Sequence, residues 1–222
     1  MSRLLSLSVH ELRTPLTVVA GYISMLLNNR AGPVTDQQRK MLEESQKSCG
    51  RLSALLAELT DLGRIESGAV TFNRQPADLR AMLQTAIDQL PPLPDREVAV
   101  VLENADGPSM VSADATRLTA ALGAVLGALR RELVTSNELF VIEREVAGDP
   151  SHRQVLIGDR DTVDATAADA SDLPAFDQLR GGCGMSLVIA GRVLDAHEAT
   201  ITAPPNEHKG GAVIVIPAAA AR

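Results

Sequence analysis

The sequence predicts an α+β protein in two parts, an N-terminal helical hairpin that doubles into a dimeric four-helix bundle and a C-terminal α/β-sandwich domain. Apolar residues recur at three- and four-residue steps from Leu4 to Asn29, and again from Met41 to Leu62, which marks two long helices. Beyond residue 68 shorter helical and strand-like segments follow in mixed order, as expected of helices on one face of a mainly antiparallel sheet. The 222 residues suffice for two modest cores.

The first stripe runs through Leu5, Val9, Leu12, Leu16, Val19, Ile23, Leu26 and Leu27, and AGPVTD then breaks the helix. The second, Met41, Ser45, Ser48, Leu52, Leu55, Leu59 and Leu62, has nearly heptad spacing and follows Asp36, which is well placed to cap the new helix. A two-helix hairpin is too thin to bury a whole apolar stripe on each helix. Pairing with a second copy is the economical solution, and packing against the rest of the same chain is the alternative.

After Ile65 the stretch GRIESGAVTFNRQPADL reads as a helix end, a short strand over 70–73 and a new helix beginning at Asp78. The boundary is therefore placed near Gly68, giving domains 1–68 and 69–222. The second domain is expected to contain helices over 79–90, 115–133 and 185–196. Its strands are expected over 97–102, 139–145, 153–158, near 200 and over 212–216. Segment 163–183 has little periodicity and many small or acidic residues, and reads as a mobile loop.

Composition narrows the function. The formal net charge is −7 and the basic residues are scattered, so neither nucleic acid nor an anionic membrane is an expected partner. Cys49 and Cys183 have no metal-like spacing, which argues against a zinc site or a disulfide framework and fits a reducing, cytoplasmic setting. No apolar run approaches the roughly 20 residues that cross a bilayer, and no secretion signal is visible. No metal site is expected.

The residue of chemical interest is His10. Thr14 lies four residues on, on the same helix face, and Pro15 removes the N–H that would bond the carbonyl of Glu11, which favours a bend that exposes this turn. Neutral imidazole is nucleophilic near pH 7, and a carboxylate such as Glu11 can fix its tautomer and stabilise the cation formed when the ring attacks phosphorus. Taken alone, a histidine beside a glutamate on a helix is an ordinary solvent-facing pair. His152, His197 and His208 read as structural or solvated.

The string Ser8-Val9-His10-Glu11-Leu12-Arg13-Thr14-Pro15-Leu16 resembles the phospho-acceptor box of sensor histidine kinases, in their dimerisation and histidine-phosphotransfer domain. The resemblance continues through the hairpin, through the linker, and to the closing strand HKGGAVIVIP of an ATP-binding domain. It implies that His10 carries the phosphoryl group, that Glu11 and Thr14 assist transfer and phosphatase reactions, and that the partners are a second copy and a response-regulator receiver domain. Met1 stands nine residues before His10, which clips the first helix relative to most of the family. Either an upstream sensor region lies outside this sequence or the protein takes its input from partners.

The ATP-binding half departs from the family pattern. Where the resemblance implies two asparagines, one of them a magnesium ligand, this chain has Ala124 and Ala128, and alanine offers no oxygen to a hard cation. Arg131 stays where a basic residue is common. The first glycine box aligns with Asp159-Arg160-Asp161-Thr162-Val163, keeping the adenine-reading acid Asp159 but losing both glycines. The second survives as Gly182-Cys183-Gly184-Met185-Ser186 at the start of a helix, followed by the family-like Ile189-Ala190-Gly191-Arg192-Val193. Between the boxes Asp164, Asp169 and Asp172 give a charge ill suited to a triphosphate. Gly123 and Gly127, on the same helix as the missing asparagines, suggest close packing that lets the cleft narrow or fill.

Three readings follow. The favoured one is a phosphotransfer module or pseudokinase in which His10 exchanges phosphoryl with a response-regulator aspartate, no cofactor is needed, and Asp159, Gly182 and Gly184 mark a vestigial nucleotide site. The second is an active kinase with divergent boxes, using ATP and magnesium. The third is a dimeric scaffold without phosphoryl chemistry.

Overall fold

The structure, a computed structural model, describes residues 2–103, 107–134, 136–168, 173–179, 185–204 and 210–219, with side chains from residue 7 onward. The chain divides into two compact units, Met1–Val70 and Thr71–Arg222.

The first unit is two antiparallel helices, α1 (Ser2–Leu27) and α2 (Asp36–Glu66). Both end in the same device, with a left-handed residue just past the cap that lets two N–H groups fold back on the last carbonyls. In α1 that residue is Asn29 (φ 55°), followed by a bond from Arg30 N–H to Met25 O. In α2 it is Gly68 (φ 69°), followed by one from Ala69 N–H to Arg64 O. The cap of α2 is Thr35 rather than the expected Asp36. Thr35 Oγ1 accepts from Gln38 N–H while Gln38 Oε1 accepts from Thr35 N–H, a reciprocal capping box that leaves Asp36 in the first turn.

The seam of the hairpin buries Val9 and Ile23 of α1 against Cys49, Leu56 and Leu62 of α2. On α2 this seam follows Leu42, Cys49 and Leu56 at heptad steps, rotated from the expected stripe, because α2 carries apolar residues on two faces. The other face holds Met41, Leu52 and Leu55, and α1 adds Leu12, Val19 and Tyr22. All six are more than 40% exposed.

The second unit is built on a five-stranded sheet of order β2-β4-β5-β7-β6, from β2 (Ala99–Glu103), β4 (Glu138–Val146), β5 (Asp149–Gly158), β6 (Thr200–Thr202) and β7 (Ala212–Pro217). Only the β2–β4 pairing is parallel. A two-stranded ribbon pairs β1 (Gln75–Asp78) with β3 (Met110–Ala113). The strand expected at 70–73 thus lies later, and β3 was not foreseen, since four residues beside a turn give too short a pattern.

One face of the sheet presents Leu139, Val141, Val155, Ile157 and Ile214, all buried, to the apolar sides of α3 (Leu79–Asp88), α4 (Ala115–Glu132) and α6 (Ser186–Ala196). Buried Glu143 shares this face. Its carboxylate accepts from Arg80 Nε (2.6 Å) and Ser109 Oγ (2.6 Å), pinning the start of α3 to β4. The N-caps of α3 and α4 are Asp78 and Asp114, each accepting a backbone N–H.

The opposite face carries a helix the sequence did not announce, α5 (Arg160–Ala168), whose Val163 packs on Leu156 and Val213. With one large apolar residue among aspartates and alanines, α5 has little periodic signal. Segment 163–183 is therefore no continuous loop. Its first residues are helical, and 173–179 runs beside β6, with Ala203 N–H bonded to Pro174 O, an Ala175–Thr202 bridge and Phe176 buried.

Candidate functional site

In the hairpin, His10 stands on α1 next to the seam residue Val9 but points into solvent, its side chain 76% exposed and that of Glu11 72%. Nδ1 lies 3.7 Å from Glu11 Oε1, so the carboxylate is on the Nδ1 side and Nε2 is turned away from it. A proton held on Nδ1 leaves the Nε2 lone pair free to attack. One turn on, Thr14 Oγ1 reaches the His10 carbonyl at 3.5 Å, so the hydroxyl stays beside the histidine. The helix continues through Pro15.

Sequence reasoning missed the residues that brace this turn. Arg13 donates to Thr60 Oγ1 across the hairpin (3.4 Å), and Thr60 in turn donates to Leu56 O (2.8 Å). Thr17 caps the carbonyl of Arg13 at 2.9 Å. An arginine three residues past a histidine carries no such signal until α2 is laid beside α1.

In the sheet unit, Asp159 follows β5 directly, and its Oδ1 accepts Thr162 N–H at 2.9 Å, which caps α5. The positions aligned with the lost glycines, Asp161 and Val163, are therefore turns of a helix, with Thr162 2% and Val163 1% exposed. Gly158 and Gly211 admit Thr162: a Cβ on either would stand within 2.8 Å of its Cγ2. Arg160 fastens the same turn, ion-paired with Glu103 of β2 and stacked 3.9 Å over the ring of Phe140. That bond also holds the Glu103 carboxyl below the ordinary carboxylate range.

Of the two alanines in place of asparagines, Ala128 is fully buried and Ala124 lines a groove of about 130 Å³, together with Leu90, Gly127, Arg130, Arg131 and Ser186. Gly123 faces Ala86 of α3 and Gly127 faces Leu90 just past its end, but an added Cβ would meet them at ordinary contact distances of 3.9 and 3.6 Å. Close packing therefore does not demand glycine there. Gly182 and Gly184 lie outside the described residues, as do Asp169, Asp172, Cys183 and His208. A wider groove of about 550 Å³ lies elsewhere, between α3 and the start of α4, walled by Ala81, Thr85, Thr119 and Ala120 over Met82.

Among the histidines set aside, His152 lies in the first residues of β5 and pairs there with Asp149 at 2.6 Å, and His197 is buried with both ring nitrogens engaged.

A solvent-facing histidine on a helical hairpin, followed by a sheet domain with helices on both faces, defines a class of signalling proteins. Residues 1–68 match the family described as the His Kinase A (phospho-acceptor) domain. The chain is 26% identical, over 93% of its length, to the circadian input-output histidine kinase CikA of Thermosynechococcus vestitus, and 28% identical, over 84%, to the sensor protein GacS of Pseudomonas syringae pv. syringae. It spans 29% and 21% of those proteins. In fold it is similar to full-length ShkA solved with AMPPNP, at a TM-score of 0.67 and 22% identity over all of this chain and 47% of that one. It is also similar to the histidine kinase AdeS of Acinetobacter baumannii, at a TM-score of 0.57 and 18% identity over 96% of this chain and 98% of that one. Residues 1–68 are thus a phospho-acceptor domain of the His Kinase A family, and the chain over most of its length is similar to sensor histidine kinases. Among the described residues no helix is long and apolar enough to cross a membrane.

Proposed function

We propose that this chain is a dimeric two-component phosphotransfer module, in which His10 exchanges a phosphoryl group with the aspartate of a response-regulator receiver domain. The observation that carries the reading is a contrast within one chain. The acceptor turn keeps its histidine exposed with Glu11 and Thr14 beside it, while the first-glycine-box segment is folded into α5 and packed on the sheet.

In the transfer, Nε2 of neutral His10 attacks the phosphorus of the receiver's aspartyl phosphate. The N–P bond forms as the bond from phosphorus to the aspartate oxygen breaks, and the aspartate leaves as carboxylate. The Nδ1 proton stays on the ring, which becomes cationic, and the Glu11 carboxylate stabilises that charge over a short distance. Transfer to a second receiver is the same step reversed. Thr14 is suited to positioning water for regulator dephosphorylation, an added phosphatase role.

The described residues around the ancestral cleft argue against Mg-ATP. Ala124 and Ala128 supply no ligand to magnesium, and the groove of about 130 Å³ beside them is well below the roughly 300 Å³ at which small-molecule pockets begin. Asp161 and Val163 stand where glycines would admit a nucleotide, with Val163 buried against the sheet. Asp159, with Gly182 and Gly184, is read as a vestige, and the sheet unit as a protein-docking surface.

An active ATP-dependent kinase is the second reading, favoured by the kinase names of relatives matched over most of this chain. The two part on one experiment. Receiver domain carrying labelled phosphoryl should pass acid-labile label to the wild type and not to His10→Ala, whereas labelled ATP with magnesium should leave both unlabelled. Label from ATP on the wild type alone would establish the kinase.

A further inference from the structure

The first residues of the sheet unit are held down by the far end of α6. Phe72 sets its ring edge-on to His197, with centroids 5.4 Å apart and planes at 83°, and the guanidinium of Arg117 covers the other contact of that ring at 5.6 Å. Asn73 N–H donates to Asp114 Oδ2 at 3.2 Å. Arg74 donates to the carbonyl of Ala196 and pairs with Glu198 at 2.8 Å. Thus the segment that leads into β1 is clasped between the N-cap of α4 and the C-cap of α6.

His197 lies at the centre of this clasp. It is 2% exposed, its Nδ1–H donates to Val193 O at 2.7 Å, and its Nε2 accepts the N–H of Asp114 at 2.9 Å. Only the neutral ring with its proton on Nδ1 satisfies both bonds. A second proton would point Nε2–H at the Asp114 N–H, donor against donor, in a place without water to relieve it. Two charged groups act on the ring, Arg74 from the linker and Asp114 from the start of α4. Arg117 lies over the Phe72 ring, and Asp195 and Glu198 at the end of α6 are exposed and paired with Arg192 and Arg74. Arg74 opposes a charge on the ring. Asp114 favours it, but its carboxylate is engaged by the backbone N–H groups of Asn73 and Arg117.

We propose that His197 is an acid-sensitive latch for the linker: the neutral ring holds residues 72–74 on the sheet unit, and the protonated ring releases them. Burial, and then Arg74, push the imidazole below the ordinary histidine range, so the latch stays closed at neutral pH. When it is closed, the chain between the bond of Ala69 N–H to Arg64 O and the clasp is residues 70–71. When it is open, that chain extends to Gln75, where pairing with Ala113 begins. The latch thereby sets the length of the joint that any motion of the sheet unit must use, whatever chemistry His10 performs.

Amide hydrogen exchange of the intact protein by NMR tests this, with each rate divided by its free-peptide rate at the same pH. Between about pH 7.5 and about pH 5, Asp114 and Asn73 should lose protection together by about threefold or more, while Leu156 and Ile214 in the sheet keep theirs. His197→Gln, which retains an acceptor but does not titrate, should abolish the pH dependence at both amides. Protection at Asn73 that is constant with pH in the wild type, loss shared by Leu156 and Ile214, or pH dependence surviving in His197→Gln would each overturn the latch.

Discussion

Gly158, the last residue of β5, and Thr162, in the first turn of α5, are packed so closely that a Cβ on the glycine would stand 2.7 Å from the threonine Cγ2. The contact fixes α5 on the sheet, and with it the segment that the sequence aligns with the first glycine box.

Gly158→Ala should therefore destabilise the sheet unit by about 1 to 3 kcal/mol, the usual cost of overpacking a filled site. Urea unfolding measures it. An unchanged midpoint would mean that α5 does not sit on β5 as described.

The Glu143–Arg80 pair lies against the sheet with the glutamate side chain wholly inaccessible. Glu143→Ala leaves the guanidinium of Arg80 and the hydroxyl of Ser109 without their shared acceptor, and should cost about 3 to 5 kcal/mol. The same urea experiment reads it, and a cost under about 1 kcal/mol would contradict the geometry.

His197 predicts how stability follows pH. A pKa lowered by folding gives a contribution that is complete above the unfolded-state value of about 6.5 and is lost as pH falls towards the folded value. The chain should become easier to unfold as pH drops below that point. His197→Gln should flatten this part of the profile, and an identical profile in both proteins would count against the bonding pattern.

Leu52 and Leu55 are 52% and 41% exposed on α2, and with Leu12 and Val19 of α1 they leave the hairpin an uncovered apolar face. If a second copy covers it, Leu52→Lys with Leu55→Lys should convert a dimer to a monomer in sedimentation, while helix content persists. A wild type that sediments as a monomer would remove the four-helix bundle from the account.

Thr14→Ala should slow dephosphorylation of a phosphorylated receiver at least severalfold while leaving phosphoryl acceptance by His10 near wild type, since the hydroxyl is beside the histidine and not between it and Glu11. Dephosphorylation at the wild-type rate would withdraw the phosphatase role.

The two long helices and most of the sheet were legible because their apolar periods extend over many residues, and α4 was found from residue 115 onward. What the sequence hid was local or tertiary. Which of two apolar faces of α2 forms the seam depends on the partner helix, so Cys49 rather than Leu52 is buried. Helix α5 owes its place to Asp159 as a cap and to glycines at 158 and 211, one of them some fifty residues away in the chain. His10, Glu11 and Thr14 could be read together because helical spacing alone makes them neighbours. The bracing of that turn by Thr60 needed α2 in position.

The most direct measurement follows label on His10. Purified protein would be given, separately, a receiver domain phosphorylated on its aspartate and γ-labelled ATP with magnesium, with His10→Ala as the control. The account predicts acid-labile label on the wild type from the receiver, none on the variant, and none on either from ATP. Acid-labile labelling of the wild type by ATP, absent from His10→Ala, would contradict it and make this chain a working kinase.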